Sequence, residues 1–77
     1  MMKLDRMTLN GFNVIGHTSH VNCVTVMVDR GPETPQRYVV ATWAPEQRNG
    51  WIWGHYCDTF REACVEYLDV STRNSNR

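Results

Sequence analysis

Trp51-Ile52-Trp53-Gly54-His55-Tyr56-Cys57-Asp58-Thr59-Phe60-Arg61-Glu62-Ala63-Cys64 decides the fold, because its periodicity changes partway along. The first half is dense in aromatic and β-branched residues and follows Asn49-Gly50, a turn signal, which predicts a strand over 51–57. Asp58 and Thr59 then open a helix. Thr59-Phe60-Arg61-Glu62 has the Thr-x-x-Glu form of a capping box, in which hydroxyl and carboxylate satisfy two amide donors that a helix start leaves free. Phe60, Ala63, Cys64, Tyr67 and Leu68 follow at i, i+3, i+4, i+7 and i+8, the core stripe of an amphipathic helix. Arg61, Glu62, Glu66 and Asp69 fall on the solvated side, and the helix is predicted over Thr59–Val70.

Working upstream, Val21–Asp29 carries Val21, Val24, Val26 and Val28, a β-branched density that predicts the strongest strand. Alternation puts Val24, Val26 and Val28 on one face and Cys23, Thr25 and Met27 on the other. Phe12–Gly16 is a shorter strand candidate, followed by a polar turn at His17–His20. Pro32 and Pro35 make residues 30–36 a loop, Arg37–Ala44 is the next strand, and Pro45 ends it. Short loops between successive strands imply an antiparallel meander. The expected fold is α+β: an antiparallel three- or four-stranded sheet with one C-terminal helix packed on one face. Residues 1–77 are read as one domain. Residues 1–10 and 71–77 are expected to fray, or in the case of 1–10 to fold back as an edge.

The bulk chemistry is that of an ordinary globular chain: 77 residues, 42% hydrophobic, with eight basic and eight acidic side chains and no net charge. No basic field is available to draw in a phosphate backbone, and no acidic excess suggests a nucleic-acid mimic. The odd cysteine count, Cys23, Cys57 and Cys64, argues against a disulfide framework. Residues 1–10 hold no apolar run of signal-peptide type, and no stretch approaches the ~20 apolar residues of a membrane span. A cytoplasmic setting is therefore expected.

The informative feature is the second face of the sheet. One helix covers one face only, and an antiparallel sheet normally turns polar residues outward on the other. In 51–57, alternation puts Ile52, Gly54 and Tyr56 on one side and Trp51, Trp53 and His55 on the other. Neither side is polar. With Ile52 and Tyr56 against the helix, two tryptophans and a histidine face out, joined by Val39, Ala41 and Trp43 if the register allows. A contiguous apolar patch of this kind marks an interaction surface. The plainer alternative makes the tryptophans core. Arg48, in the loop before 51–57, is presented at a hairpin tip, and loop tips on a rigid sheet are frequent contact sites. The expected partner-binding set is Trp43, Arg48, Trp51, Trp53 and His55.

Other candidate chemistries are thinner. His17-x-x-His20-x-x-Cys23 contains three residue types that zinc accepts, but without a fourth ligand at regular spacing it reads as turn histidines and a buried cysteine. Cys57 lies beside a helix N-terminus, which favours a thiolate, and shares a strand face with His55, yet no triad is apparent. Scattered glycines form no phosphate cradle, and no paired carboxylates suit acid–base work. No enzyme activity, metal or cofactor is expected. Trp51, Trp53 and Tyr56 with Arg37 and Arg48 offer a single-stranded nucleic-acid binder as an alternative, and a homodimer through the tryptophan face as another.

The junction from Trp51 to Ala63 resembles the strand-to-helix junction of short proteins encoded by phages and mobile elements, anti-CRISPR proteins among them. The resemblance spans roughly residues 38–70. It implies a non-enzymatic inhibitor that blocks a host protein or ribonucleoprotein complex, such as a CRISPR effector, by occupying its surface. Members that mimic DNA are strongly acidic. This chain is neutral, so aromatic side chains would have to carry its binding.

Overall fold

A computed structural model of the chain describes residues 1–77. The strands are β1 (Thr8–Leu9), β2 (Phe12–Ser19), β3 (Val24–Asp29), β4 (Tyr38–Trp43) and β5 (Ile52–Cys57), and one helix follows, α1 (Phe60–Asn74). They form one five-stranded antiparallel meander in the order β1-β2-β3-β4-β5. The class is the expected α+β. The additional strand is β1, too short to show as a periodic segment, and it joins β2 through Asn10-Gly11, both at positive φ (52° and 81°) as a tight hairpin turn requires.

The two sheet faces carry separate cores. Met27, Val40, Cys57, Ala63 and Val70 lie between sheet and helix, with Tyr38, Cys64 and Tyr67 at their margin. Val24, Val26, Val28, Val39, Ala41, Trp43, Val14 and Leu9 fill the opposite face. The helix therefore meets the Thr25/Met27 side of β3, not its valine side. The sheet curls around the valine core until the β1–β2 turn touches the loop before β5, where Asn10 N–H donates to Asn49 O at 2.6 Å. Residues 1–10 are folded back as an edge, the second of the two expected arrangements. They run antiparallel along β2, with Met2 N–H on His20 O (2.7 Å) and Val14 N–H on Met7 O (2.9 Å), and Met2 and Leu4 pack on the valine core. Burying apolar surface at ~25 cal/mol per Å² offsets the entropy of ordering this segment.

The helix starts from its N-cap Thr59 as predicted, but only half of the expected capping box forms: Thr59 Oγ1 accepts from Glu62 N–H (3.1 Å), while the Glu62 carboxylate accepts from the Thr59 hydroxyl (3.0 Å) rather than from its amide. It runs one turn beyond Val70. The buried stripe is Ala63, Val70 and Asn74 with Tyr67 half-buried, spaced i, i+4, i+7 and i+11, while Phe60 and Leu68 are exposed. Asn74, 1% exposed, donates from Nδ2 to Thr25 Oγ1 (2.9 Å) and Thr42 Oγ1 (3.0 Å), and Arg77 Nε donates to its Oδ1 (3.0 Å). Thr25 also bonds His20 Nε2 (2.8 Å). This buried polar chain is what holds residues 71–77 to the sheet.

Candidate functional site: the free edge of β5 and its two clefts

The site is organised by an irregularity in β5. Its register with β4 slips between Val40 and Thr42: Val40 pairs with His55, but Thr42 pairs with Ile52. The extra residue is accommodated at Trp53, which holds φ 55°, a left-handed conformation that costs a bulky residue about 1–2 kcal/mol. A bulge of this kind resets the in–out alternation. Trp51 and Trp53 consequently do not share a face.

Trp51 turns to the valine core and donates from Nε1 to Tyr56 Oη (3.2 Å). Gly54 lies beneath that contact. A Cβ there would stand 2.9 Å from Tyr56 Cε1 and 3.1 Å from Trp51 Nε1. The Arg30 guanidinium sits 5.0 Å from the Tyr56 ring centroid. Trp53, 57% exposed, points instead toward the C-terminal end of α1, where the Arg77 guanidinium lies 4.4 Å from its ring centroid. His55 faces α1, its Nδ1 3.2 Å from Glu66 Oε1, and Arg73 stands 3.8 Å from the same oxygen.

Two clefts meet at His55. One, of about 410 Å³, is lined by Trp53, His55, Arg73, Asn74 and Arg77. The other, of about 580 Å³, runs between β5 and α1 and is lined by His55, Tyr56, Cys57, Glu62, Val65 and Glu66. The Cys57 thiol at the floor of the second is pushed above its ordinary range by burial and then by the carboxylates Glu66, Glu62 and Asp58. Burial and negative charge thus act against the helix N-terminus, which favours a thiolate, and Cys57 is a buried residue at the end of its strand. The nearest bond to the thiol is a long contact to His55 O (3.8 Å), and the His55 ring is committed to Glu66.

The sheet ends at β5, and the pairing pattern fixes which main-chain groups are left over. Arg30 N–H donates to Arg37 O just beyond the Asp29–Tyr38 pair. Alternation from that bond directs Val39 and Ala41 toward β3, and Tyr38 and Val40 toward β5. On β5, Cys57 and His55 therefore face β4, while the N–H and C=O of Gly54 and Tyr56 face outward. No turn, loop or side-chain hydrogen bond reaches them.

Of the five residues expected to form a contact surface, the structure brings together only Trp53 and His55. Trp43 is 1% exposed in the valine core, its Nε1 donating to Arg48 O (2.8 Å), so it is withdrawn from the contact set. Trp51 is half-buried for the reason given above. Arg48 is exposed at the loop as expected, at φ 54°, on the side of the sheet that holds Trp43. The metal-like triplet also separates. His17 is an exposed residue within β2 rather than a turn residue, His20 is bonded to Thr25, and burial raises the Cys23 thiol. No group of three His, Cys, Asp or Glu side chains is placed to hold a metal ion. Val65, Glu62, Arg73 and Arg77 were not anticipated at the site, and Tyr56 was named there only as a base-stacking residue of the nucleic-acid alternative. The one sequence signal for this rearrangement was Gly54, an isolated glycine inside a strand pattern, which is a signature of a bulge.

Compared with protein-family models, curated proteins and solved structures, the chain matches none. No helix is long and apolar enough to cross a membrane.

Proposed function

We propose that this chain is a non-catalytic protein-binding module whose contact surface is the outer side of β5 and the adjoining flank of α1. One observation carries the reading. Three of the nine large apolar side chains left exposed, Trp53, Tyr56 and Val65 at 57%, 44% and 65% exposure, line two clefts that share His55, and both exposed large aromatics with a hydrogen-bonding edge are among them. Trp and Tyr dominate interface energetics because they desolvate a large rigid area at low entropic cost. The chemistry of the clefts supports the same reading, since burial and neighbouring carboxylates disfavour a Cys57 thiolate and His55 is bonded to Glu66 (3.2 Å).

The narrower form of the proposal is a phage or mobile-element inhibitor that occupies a surface of a host defence complex, such as a CRISPR effector, in the host cytoplasm. It rests on the resemblance of the 51–63 junction.

The test is retention of a discrete complex from nuclease-treated host lysate by wild type, Trp53→Ala and Ile15→Ala. Ile15 is an exposed apolar residue on β2, remote from the site. Wild type and Ile15→Ala should retain the same complex and Trp53→Ala should lose it. Retention by Trp53→Ala, with Ile15→Ala losing it, contradicts the proposal.

A second reading, single-stranded nucleic-acid binding, is favoured by the Arg77 guanidinium stacked on Trp53 with Arg73 in the same cleft. It predicts binding that falls steeply with salt, where an aromatic protein interface responds weakly.

A further inference from the structure

The outer edge of β5 dictates the shape of what binds it. Gly54 and Tyr56 present unpaired N–H and C=O groups along an edge that carries neither lysine nor proline, the usual protections of an exposed strand. The opposite edge of the sheet differs, since β1 is two residues long and continues the lead-in along β2. The bulge at Trp53 ends the regular run at Gly54, so the stretch open to regular pairing is short.

We propose that β5 binds its partner by strand addition: an extended segment of a partner protein pairs with Gly54 and Tyr56 and lays a lysine or arginine in the groove beside Glu62 and Glu66. This rests on the protein-binding reading above and names the partner's chemistry. Alternation in an added strand sends every second side chain to the helix side, where the 580 Å³ groove adjoins the edge. Asp58, Glu62 and Glu66 all bear on Cys57 at its floor; Glu66 is already met by His55 (3.2 Å) and Arg73 (3.8 Å), whereas Asp58 and Glu62 take part in no ion pair and are left for an incoming cation. Arg61 is the sole cation lining the groove. Glu62 accepts from the Thr59 hydroxyl and its own carboxylate keeps further acceptor sites free. Exposed Val65 offers an apolar wall for the methylene stem of a long basic side chain.

A second copy of this chain fits less well. Antiparallel two-fold pairing of β5 with itself sets both helices on the same side of the joined sheet, and the carboxylates of the two grooves then face each other.

The probe is the dominant peptide recovered from a displayed library of random linear peptides panned on the intact chain. Recovered peptides should alternate β-branched or apolar residues with a conserved lysine or arginine on one side. Tyr56→Pro removes the outward N–H and leaves the β4 ladder intact, a substitution that edge strands tolerate. It should weaken binding by about 10-fold relative to Tyr56→Val, which loses the same ring but keeps the outward N–H, the effect of losing one or two hydrogen bonds. Glu62→Gln should weaken the basic peptide by about 3-fold or more and raise its salt sensitivity no further. If Tyr56→Pro unfolds, N-methylation of the peptide residue that opposes Tyr56 removes the partner's donor instead, with the same loss expected. Peptides that lack a basic residue, that ignore both Tyr56→Pro and N-methylation, or that are not recovered at all overturn strand addition. If lysate capture still depends on Trp53 in that case, the protein-binding reading stands without it.

Discussion

Asn74→Ala tests how the last helical turn is held. Truncation removes both Nδ2 donors, to Thr25 (2.9 Å) and Thr42 (3.0 Å), and the acceptor of Arg77 Nε (3.0 Å). Thr25 keeps His20 as a partner, but Asn74 is the only side chain bonded to the Thr42 hydroxyl. Two lost bonds at ~1 kcal/mol each, plus a buried hydroxyl left without a partner at ~1–2 kcal/mol, put the loss at about 3–4 kcal/mol. A domain of this size has a total stability of roughly 4–12 kcal/mol, so the variant should sit close to its threshold. At about 4–8 °C per kcal/mol, the thermal midpoint should fall by roughly 12–30 °C. Urea unfolding followed by circular dichroism measures this directly. Thr42→Val removes the hydroxyl that Asn74→Ala strands, so the double variant should be less destabilised than the sum of the singles by ~1 kcal/mol or more. A single variant within about 0.5 kcal/mol of wild type, or an additive double, would refute the assignment of the helix end to this network.

Further outcomes follow from other parts of the molecule. Gly54→Ala drives a methyl into the Tyr56 ring at 2.9 Å, so it should cost about 1–2 kcal/mol in urea unfolding and shift the Trp51 emission as the indole–phenol bond breaks. Asp29 is held below the usual carboxylate range by bidentate Arg37 (2.7 and 2.9 Å) and, to a lesser degree, by Gly31 N–H. A depressed folded-state value means that the pair stabilises the fold above about pH 4, and that this contribution is lost as pH falls through the folded value. The stability gap between wild type and Arg37→Ala should therefore be full at pH 6 and shrink in acid, and a gap independent of pH contradicts it. Burial and three carboxylates keep the Cys57 thiol protonated, so in native protein near pH 8 iodoacetamide should modify half-buried Cys64 before Cys57, with the difference vanishing in urea.

How much was legible in the sequence varied with the range of the interaction that decides each element. The helix start was readable because its N-cap is local, Thr59 and Glu62 bonding each other within four residues. The paired faces of β3 were readable because five of its six residues follow strict alternation between two buried sides. The helix end was not. Asn74 looks like a polar tail residue until Thr25 and Thr42, distant in sequence, arrive to satisfy it. The stripe through Phe60 and Leu68 likewise fitted the 3.6 period as well as the true one through Ala63, Tyr67, Val70 and Asn74, and the crossing of helix over sheet chose between them. The lead-in reads as polar and sparse, yet Met2 and Leu4 alternate inward onto a face that the curl of the sheet creates. At the candidate site, period-two reasoning put Trp51 with Trp53, and one inserted residue at the bulge undid it. Its sequence trace was a single glycine.

The account's central claim is that β5 offers an open outer edge, and amide hydrogen exchange on the isolated protein at low concentration tests it most directly. His55 and Cys57, whose amides face β4, should exchange slowly, while Gly54 and Tyr56 between and beside them exchange orders of magnitude faster. Uniform protection along 54–57 would mean that the edge is already covered by another copy, and uniformly fast exchange would mean that β5 is not a strand of this sheet. Either result would contradict the claim.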